Sequence, residues 1–359
     1  MSAERNIAVV LFQLGGPDSL EAVEPFLYNL FCDPDIINFP GAFLARKALA
    51  RFISKRRSLK VADHYKEIGG KSPIVDLTSA QASALEQKLN TIVKAKVFVA
   101  MRYWHPLTQE VIAELKKEHY SNIVLLPLYP QFSKATTMSS MKEWNRQCKI
   151  NNFVGTLESS ICCYYNHPLY IDAIVENINR IYQKFSHLNP HDVDLVFSAH
   201  GVPVSLINEG DPYQLHIQET VRLVVEKGQW QSPHRLCFQS KVGPAEWLKP
   251  SLNTTIHELA ANGRKHLLVI PVAFVTEHIE TLHEINIETR AEAEQLGIKQ
   301  FEMMPALNSH PKFIECLADI VMKKVDNTSI DLGSCRQAIM RYDQKKPTIL
   351  CPFWNSSRQ

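Results

Sequence analysis

The segments VLFQLGGP (residues 10–17) and VFSAHGVP (residues 196–203) decide the fold. Each is an apolar run of strand length that ends in a Gly and Pro turn signal. Two further pairs of segments correspond in the same order along the chain, 97–102 with 236–241 and 123–127 with 267–271. Any two buried strands resemble each other to some extent, but three matches in one order predict a duplicated α/β unit.

Short apolar runs alternate with longer stretches of helical periodicity along the whole chain, which predicts parallel sheets. The predicted strands are residues 7–12, 97–101, 123–128, 193–198, 235–239 and 267–273. The predicted helices between them include residues 79–93, 108–119, 169–185, 214–226 and 251–262. We therefore predict one domain at 1–165, a second at 166–326, and a polar tail at 327–359.

Composition excludes several classes of protein. The chain has 359 residues, 45% of them hydrophobic, and a net charge of +2 that does not indicate a nucleic-acid partner. Its longest apolar runs, such as 267–275, fall short of the roughly 20 residues that span a bilayer. The apolar start at residues 7–14 runs into a turn without a cleavage site, which favours a buried strand over a signal peptide. Eight cysteines without CxxC spacing indicate a reducing compartment.

His200 is the first candidate functional residue, because ligands of open parallel sheets bind beyond the carboxyl ends of the strands. It follows an apolar strand directly, and Gly201 and Pro203 then force a turn. Imidazole exchanges protons near neutral pH and is also a ligand for divalent iron. A His that caps the next helix is the simpler alternative. Neither GxGxxG nor GxxxxGK[ST] occurs, which argues against a dinucleotide or P-loop site.

A row of three acids follows the strand at 267–273. Glu280, Glu284 and Glu288 recur at four-residue spacing, which stacks their carboxylates on one helix face where they repel each other. An exposed, solvated stripe tolerates this at small cost. Because the row begins at the end of a strand, it could instead lead cations inward or protons outward. Repulsion would then raise some of these pKa values towards the working pH.

Nine segments, taken together, resemble the ferrochelatase family over nearly the whole chain. They are LGGPDSL, SKRRSLK, YKEIGGKSPI, RYWHP, LYPQFS, FSAHGVP, NEGDPY, QSKVGPAEWLKP and EHIETLHEINIE, in the family's order. The resemblance is to bacterial-type sequences without a transit peptide. It implies an α/β fold of two similar Rossmann-like domains, each with a parallel four-stranded sheet, and a porphyrin cleft between them. It also implies a lyase that inserts Fe(II) into protoporphyrin IX to form protohaem.

The resemblance assigns roles residue by residue. His200 becomes the essential proton acceptor and a metal contact, and Glu280 becomes the opposing carboxylate and second metal contact, facing His200 across the ring. Glu284 and Glu288 belong to a partly π-helical path for protons or metal. The implied substrate-binding residues are Leu14, Arg56, Arg57, Tyr65, Ser72, Arg102, Tyr103, Trp247 and His278. Leu14 favours protoporphyrin, since the family branch that acts on coproporphyrin has Tyr at this position.

Residues 26–57 match a lip that covers the porphyrin pocket in this family. Apolar residues here precede a run of basic residues, a combination that suits an anionic membrane surface. An ordinary helix that packs on the core and exposes a basic face is the alternative. We therefore expect a cytoplasmic protein that associates peripherally with the inner membrane. A homodimer is compatible with the sequence, which does not determine the oligomeric state.

The tail resembles the C-terminal extension that holds an iron–sulfur cluster in some family members. Here Asn355 stands where the CPxxC pattern has its second Cys, and no Cys follows Cys351. Because such a cluster needs four thiolates, we predict that it is absent, and we expect no tightly bound cofactor, with Fe(II) as a substrate. Two alternatives stay open: a chelatase for coproporphyrin or another tetrapyrrole, and a haem or porphyrin carrier without catalytic activity.

Overall fold

The computed structural model describes residues 5–34, 42–155, 157–240 and 245–326, with the backbone alone for residues 42–44. These residues form two four-stranded sheets, and every neighbouring pair of strands is parallel. The first sheet consists of β1 (Asn6–Gln13), β2 (Lys94–Met101), β3 (Asn122–Pro127) and β4 (Glu158–Ser160). The second consists of β5 (Val193–His200), β6 (His234–Gln239), β7 (His266–Pro271) and β8 (Gln300–Met303).

Both sheets have the same topology, with orders β2-β1-β3-β4 and β6-β5-β7-β8. The register of the two central strands corresponds as well. Phe12 in β1 lies opposite Pro127 of β3, and Ser198, its counterpart in β5, lies opposite Pro271 of β7. This confirms the predicted α/β fold of two similar units with parallel four-stranded sheets.

Helices connect the strands, as parallel pairing requires. The first eight are α1 (Val23–Cys32), α2 (Ala42–Glu67), α3 (Ile74–Asn90), α4 (Thr108–Leu115), α5 (Ser139–Ile150), α6 (Pro168–Tyr182), α7 (Val204–Asn208) and α8 (Tyr213–Gly228). The others are α9 (Leu252–Ala261), α10 (Arg290–Gln295) and α11 (Pro311–Val325). Two π-helical segments, Lys134–Met138 and Glu280–Thr289, follow β3 and β7 respectively. They therefore occupy corresponding positions in the two halves.

Each unit has its own apolar core. In the first, Trp144 of α5 is fully buried with its ring centroid 6.0 Å from that of Phe12, and its indole N–H donates to Glu158 Oε2 at 2.9 Å. In the second, Val196 and Val269 of neighbouring strands cluster with Ile256 of α9. The central strands are buried along nearly their whole length, because helices cover both faces of a parallel sheet.

The chain passes from the first unit to the second at Cys162–Cys163, close to the predicted boundary between residues 165 and 166. Two segments belong to the other unit than their position along the chain predicts. Pro130–Ser133 groups with the second unit, and the part of α11 from Leu317 groups with the first, where Arg5 forms an ion pair with Asp326. The tail at 327–359 lies outside the described residues.

The lip implied at 26–57 contains the end of α1 and the first part of α2, while residues 35–41 lie outside the described residues. The two helices pack against each other. Two guanidinium groups of α2 lie over aromatic rings of α1, Arg51 at 5.8 Å from the Tyr28 centroid and Arg57 at 5.6 Å from that of Phe31. Part of the basic run therefore packs on α1.

Candidate active site

His200 is the last residue of β5, and the turn that follows it places Trp247 beside its ring. Gly201 N–H donates to Gln239 O at 2.7 Å, so closely that a Cβ on Gly201 would lie 2.9 Å from that oxygen. Val204 N–H then donates to Glu246 O, and Leu248 N–H to Val202 O. These bonds bring the Trp247 ring centroid to 6.4 Å from that of His200.

The two nitrogens of His200 have different partners. Nδ1 lies 2.6 Å from Gly201 O, which can only accept, so Nδ1 carries a hydrogen. Nε2 lies 3.2 Å from Glu280 Oε1, and this contact is attractive to an ionised carboxylate only when Nε2 is also protonated. Burial lowers the pKa of His200, but the charge of Glu280 and the hydrogen bond to it raise the pKa to about 9. The resting pair is therefore imidazolium and carboxylate.

Glu280 also binds a second histidine. Its Oε2 lies 2.6 Å from His278 Nε2, while His278 Nδ1 lies 3.1 Å from Thr276 O and carries a hydrogen for the same reason as in His200. Burial alone would raise the pKa of Glu280, but the charge of His200 and the bonds from both histidines hold it well below its ordinary value. His200, Glu280 and His278 thus form a continuous hydrogen-bonded chain in which Glu280 contacts both imidazoles.

The acidic row runs from partly buried to exposed side chains along Glu280–Thr289, and this segment is π-helical, as the resemblance implied. Glu284 is partly buried and accepts a hydrogen bond from Ser240 Oγ. Burial and the charge of Glu280 raise the pKa of Glu284 to about 7. The Glu288 side chain is 51% exposed and lies 3.7 Å from His283 Nδ1. Along the row, a carboxyl that titrates near neutral pH therefore lies between Glu280 and an exposed carboxylate.

Gln239 ties Glu280 to the sheet. This buried residue ends β6, and its side-chain oxygen accepts from Ser198 Oγ of β5 at 2.7 Å. Its side-chain nitrogen donates to Glu280 O at 3.4 Å. The start of the π-helix is thereby held against the ends of two neighbouring strands.

In the first unit, Arg102 and Tyr103 converge on a buried acid, Asp33, at the end of α1. Asp33 Oδ2 accepts from Arg102 Nη2 at 2.7 Å, from Tyr103 Oη at 2.6 Å and from Ser139 Oγ at 2.7 Å. Arg102 Nε donates to Ser139 Oγ at 2.9 Å. Burial and the charge of Asp33 raise the pKa of Tyr103 well above its ordinary value. These polar groups hold an internal carboxylate in this structure.

Three other residues of the substrate-binding set also lie in the first unit. Leu14 is partly exposed, and its carbonyl accepts the Tyr103 N–H at 3.0 Å. Tyr65 and Ser72 are both buried. A Cβ on Gly16 would lie 2.6 Å from Ser72 Oγ, so these two residues pack directly against each other. The structure thus shows Tyr65 and Ser72 as interior residues.

The remaining two, Arg56 and Arg57, are exposed on α2. The structure accordingly groups the predicted residues into a second-unit set (His200, Trp247, His278, Glu280, Glu284) and a first-unit pair on Asp33 (Arg102, Tyr103). Sequence reasoning gave no role to Asp33, Gln239 or Ser240. Gln239 and Ser240 begin the segment QSKVGPAEWLKP, but the partners of all three residues are distant in sequence, so no local pattern shows what they bind.

The donor set of the second unit suits iron as a substrate. Imidazole nitrogen and carboxylate oxygen are ligand types that bind divalent iron, and His200, His278 and Glu280 present both within one hydrogen-bonded chain. Because the ligands must lose protons to bind a metal, binding here would release protons.

Comparison with known proteins identifies the family. A family model described as Ferrochelatase matches residues 6–325. The ferrochelatase of Trichodesmium erythraeum (strain IMS101) is 45% identical over 363 residues, which cover 98% of this chain and 92% of that protein. That of Geotalea daltonii (strain DSM 22248 / JCM 15807 / FRC-32) is 49% identical over 317 residues, covering 88% of this chain and 96% of the relative.

A solved structure supports the fold alone. SirB from Bacillus subtilis, described with Fe3+, superposes with a TM-score of 0.52 at 12% sequence identity, covering 90% of this chain and 97% of that one. The match of the family model over most of the chain, together with relatives at 45–49% identity, decides the assignment. The chain therefore belongs to the ferrochelatase family.

Proposed function

We propose that this member of the ferrochelatase family inserts ferrous iron into protoporphyrin IX and releases the two pyrrole protons, the last step of haem biosynthesis. The observation that carries the proposal is the chain His200–Glu280–His278, in which one carboxylate binds two imidazoles at 3.2 and 2.6 Å. A protein that only stores or carries a porphyrin has no need of an imidazolium paired with a carboxylate in this way.

Proton transfer follows from the charges of this chain. His200 is protonated at rest, so it must lose a proton before it can accept one from a pyrrole N–H. A divalent cation that approaches Glu280 competes with the imidazolium for the carboxylate and disfavours the nearby positive charge. The His200 pKa then falls, the proton leaves, and the neutral ring becomes a base. Metal arrival and base activation are coupled in this way.

The His200–Glu280 contact also has to open during turnover. The two atoms lie 3.2 Å apart, which is closer than a macrocycle between them allows. The family resemblance implies that the two residues face each other across the ring. Porphyrin binding would therefore break the contact between them. Its loss would likewise lower the pKa of His200, because the charge of Glu280 is a principal cause of the increase.

Glu284 and Glu288 would carry the released protons to solvent. Glu284 can accept and release a proton near neutral pH because its pKa is about 7. Glu288 is half-exposed and exchanges directly with water. The two carboxylates follow Glu280 at four-residue spacing along one π-helix, which supplies a route in short steps.

We assign the porphyrin contacts according to whether each side chain is exposed or is already hydrogen-bonded inside the protein. Leu14 is partly exposed and apolar, which suits protoporphyrin better than a more carboxylated ring. Arg56 and Arg57 are exposed and suit propionate carboxylates. Arg102 and Tyr103 already hold Asp33, so we give them a role in shaping the pocket wall.

An anaerobic ultraviolet–visible assay with Fe(II) tests the function. The proposal expects the protoporphyrin spectrum to convert to that of haem at a rate proportional to enzyme. Faster conversion of coproporphyrin would favour the other branch of the family, and insertion only of cobalt or nickel would indicate a different chelatase. Tight porphyrin binding without insertion of any metal would identify a carrier and refute the proposal.

We further propose a peripheral association with an anionic membrane surface through α2. No helix among the described residues is both long and apolar enough to cross a membrane. Phe52 and Leu59 lie two turns apart and are 63% and 77% exposed. Exposed Lys55, Arg56 and Lys60 lie beside them. Each basic residue near an anionic surface contributes up to about 1 kcal/mol. Insertion of the apolar side chains adds to this attraction, and the two together give reversible binding.

Co-sedimentation with anionic liposomes tests the membrane proposal. Binding should fall steeply as salt is raised, because exposed charges are screened beyond about 10 Å at 0.1 M. A Phe52→Ser/Leu59→Ser variant should bind less, whereas Ile92→Ser, at another exposed apolar residue, should not. The lip also contains the apolar residues Phe39 and Phe43, whose side chains lie outside the described part of the chain. Absence of binding at low salt would refute the membrane proposal.

A further inference from the structure

Two of the nine segments that resemble the family, LYPQFS and NEGDPY, contribute no residue to the reaction outlined above. Tyr213 ends the second of these segments and begins α8, and its side chain is buried. Its hydroxyl donates to His200 O at 2.9 Å. This bond ties α8 to the end of β5, at the residue that serves as the base.

The peptide unit between His200 and Gly201 is held at both ends. Its N–H, from Gly201, donates to Gln239 O of β6 at 2.7 Å, and its C=O, from His200, accepts the Tyr213 hydroxyl. The pairing of β5 with β7 ends two residues earlier, at Ser198. The ladder with β7 therefore stops short of His200, and the Tyr213 hydroxyl supports its carbonyl instead.

The orientation of the His200 ring depends on the same peptide. Its Nδ1 lies 2.6 Å from Gly201 O, the next carbonyl along the chain. Because a peptide unit is planar, a tilt at its carbonyl end turns the whole unit and changes the backbone dihedral angles on both sides. Such a tilt would move the His200 side chain relative to the carbonyl that binds Nδ1. Nε2, at 3.2 Å from Glu280 Oε1, would move with the ring.

The segment LYPQFS holds the start of α8 in place. Ser133 Oγ donates to Asp211 Oδ2 at 2.9 Å, and Asp211 Oδ1 accepts the Tyr213 N–H at 3.0 Å. Phe132 N–H donates to His216 Nδ1, one turn further along the helix, at 3.2 Å. These residues all belong to the second unit. Tyr213 is thus anchored at its backbone while its hydroxyl reaches β5.

We propose that Tyr213 is a positioning residue that fixes the orientation of His200, and that the segment LYPQFS supports it through Asp211. The inference rests on the proposed function, because it concerns the base of that reaction. The role needs a hydroxyl at residue 213, since only a donor can bind the His200 carbonyl. A phenyl ring in its place keeps the shape but leaves this carbonyl without the donor, so that the peptide can tilt.

Three substitutions test this role. Tyr213→Phe removes the hydroxyl and keeps the ring. Ser133→Ala removes the support one step further away and leaves the Tyr213 hydroxyl in place. Tyr182→Phe is the matched control, because its hydroxyl lies 2.6 Å from Ser232 Oγ in the same unit and is lost in the same way.

Steady-state iron insertion gives kcat and KM for protoporphyrin, and a thermal melt shows whether each variant is folded. We expect Tyr213→Phe to lower kcat by about 10-fold, the scale of one hydrogen bond, with KM little changed. Ser133→Ala should lower kcat by a smaller factor, and Tyr182→Phe should leave it unchanged. A wild-type kcat in Tyr213→Phe overturns the proposal, as does an equal loss in Tyr182→Phe.

The same substitution in a His200→Ala background separates positioning from general damage. If Tyr213 acts through His200, Tyr213→Phe should not lower further the residual insertion rate of His200→Ala, measured in long incubations. An equal loss in both backgrounds would overturn the proposal, because the hydroxyl would then act independently of the imidazole.

Crystal structures of the wild type and of Tyr213→Phe measure the position of His200 without reference to activity. We expect the His200 ring to shift by about 0.5 Å or more, the tolerance of a catalytic constellation. The distance from Nε2 to Glu280 Oε1, 3.2 Å here, reports the same shift. An unmoved His200 overturns the inference even if the wild type inserts iron. A shifted His200 in a protein that inserts no metal overturns only the proposed function, so the two proposals fail separately.

Discussion

Replacement of Asp33 by Ala should destabilise the first unit strongly. Its carboxylate is fully buried and accepts three hydrogen bonds, from Arg102, Tyr103 and Ser139. The Arg102 side chain is only 17% exposed, so the variant leaves a largely buried guanidinium without its counter-charge. Removal of one partner of a buried ion pair costs about 3–5 kcal/mol. At about 2–4 °C per kcal/mol, this lowers the melting temperature by about 6–20 °C.

Asp33→Asn gives the intermediate case. The amide oxygen can still accept from Tyr103 and Ser139, so only the charge assistance is lost, at about 1–3 kcal/mol. Asp18→Ala, at an exposed acid of the same unit, serves as the control and should change stability by less than about 0.5 kcal/mol. The expected order of stability is therefore Asp18→Ala, then Asp33→Asn, then Asp33→Ala.

Urea titration followed by hydrogen-exchange mass spectrometry measures this order unit by unit. Peptides from β1 report on the first unit and peptides from β5 on the second, which acts as an internal reference. Protection should fall in β1 and hold in β5. A free energy of unfolding for Asp33→Ala within about 1 kcal/mol of the wild type would refute the reasoning, because loss of the counter-charge of a largely buried guanidinium costs more than that.

Four further predictions concern the site and the tail. His200→Ala should lower kcat for iron insertion by about 10²–10⁴-fold while the Kd for protoporphyrin changes little, since the residue acts as a base; near-normal turnover would contradict this. Glu280→Gln should depress kcat more than Glu288→Gln, because only Glu280 binds both histidines; equal, mild losses would favour a solvated stripe. The Glu284 pKa is raised to about 7, so the folded state binds a proton that the unfolded state has lost above its ordinary pKa near 4.5. The wild type should therefore lose stability relative to Glu284→Gln as pH rises from about 4.5 to 7. A difference in urea midpoint between the two proteins that is the same at pH 5 and at pH 7.5 would contradict the raised pKa. The purified protein should contain no iron–sulfur cluster, because Cys351 has no CPxxC partner; visible absorption together with stoichiometric inorganic sulfide would overturn this.

Hydrophobic patterning was sufficient to predict the central strands. β1 and β5 are long apolar runs that are buried on both faces, so their composition differs sharply from that of the surrounding chain. The edge strands β4 and β8 were missed. They have three and four residues and mostly partly buried or exposed side chains, so they leave no apolar run to recognise.

The candidate site was predictable in part for the same reason. His200 and Glu280 were identified because each lies beside a recognisable strand and within a family motif. Their direct contact was not predicted, since the motif implies only that both serve the same reaction. The buried surroundings of Tyr65 and Ser72 were also not predicted, because exposure depends on how α2 and α3 pack.

The sequence by itself determined the α/β class and the duplication and singled out His200 and Glu280 as candidates, because strand periodicity, turn residues and motif spacing are local properties. Only the tertiary structure decided that Glu280 binds His200 and His278, that Asp33 holds Arg102 and Tyr103, and that Tyr213 binds the His200 carbonyl. These pairings join residues up to 106 positions apart, as with Asp33 and Ser139. Hydrogen bonds depend on distance and direction in space, and those are set by packing of the whole unit.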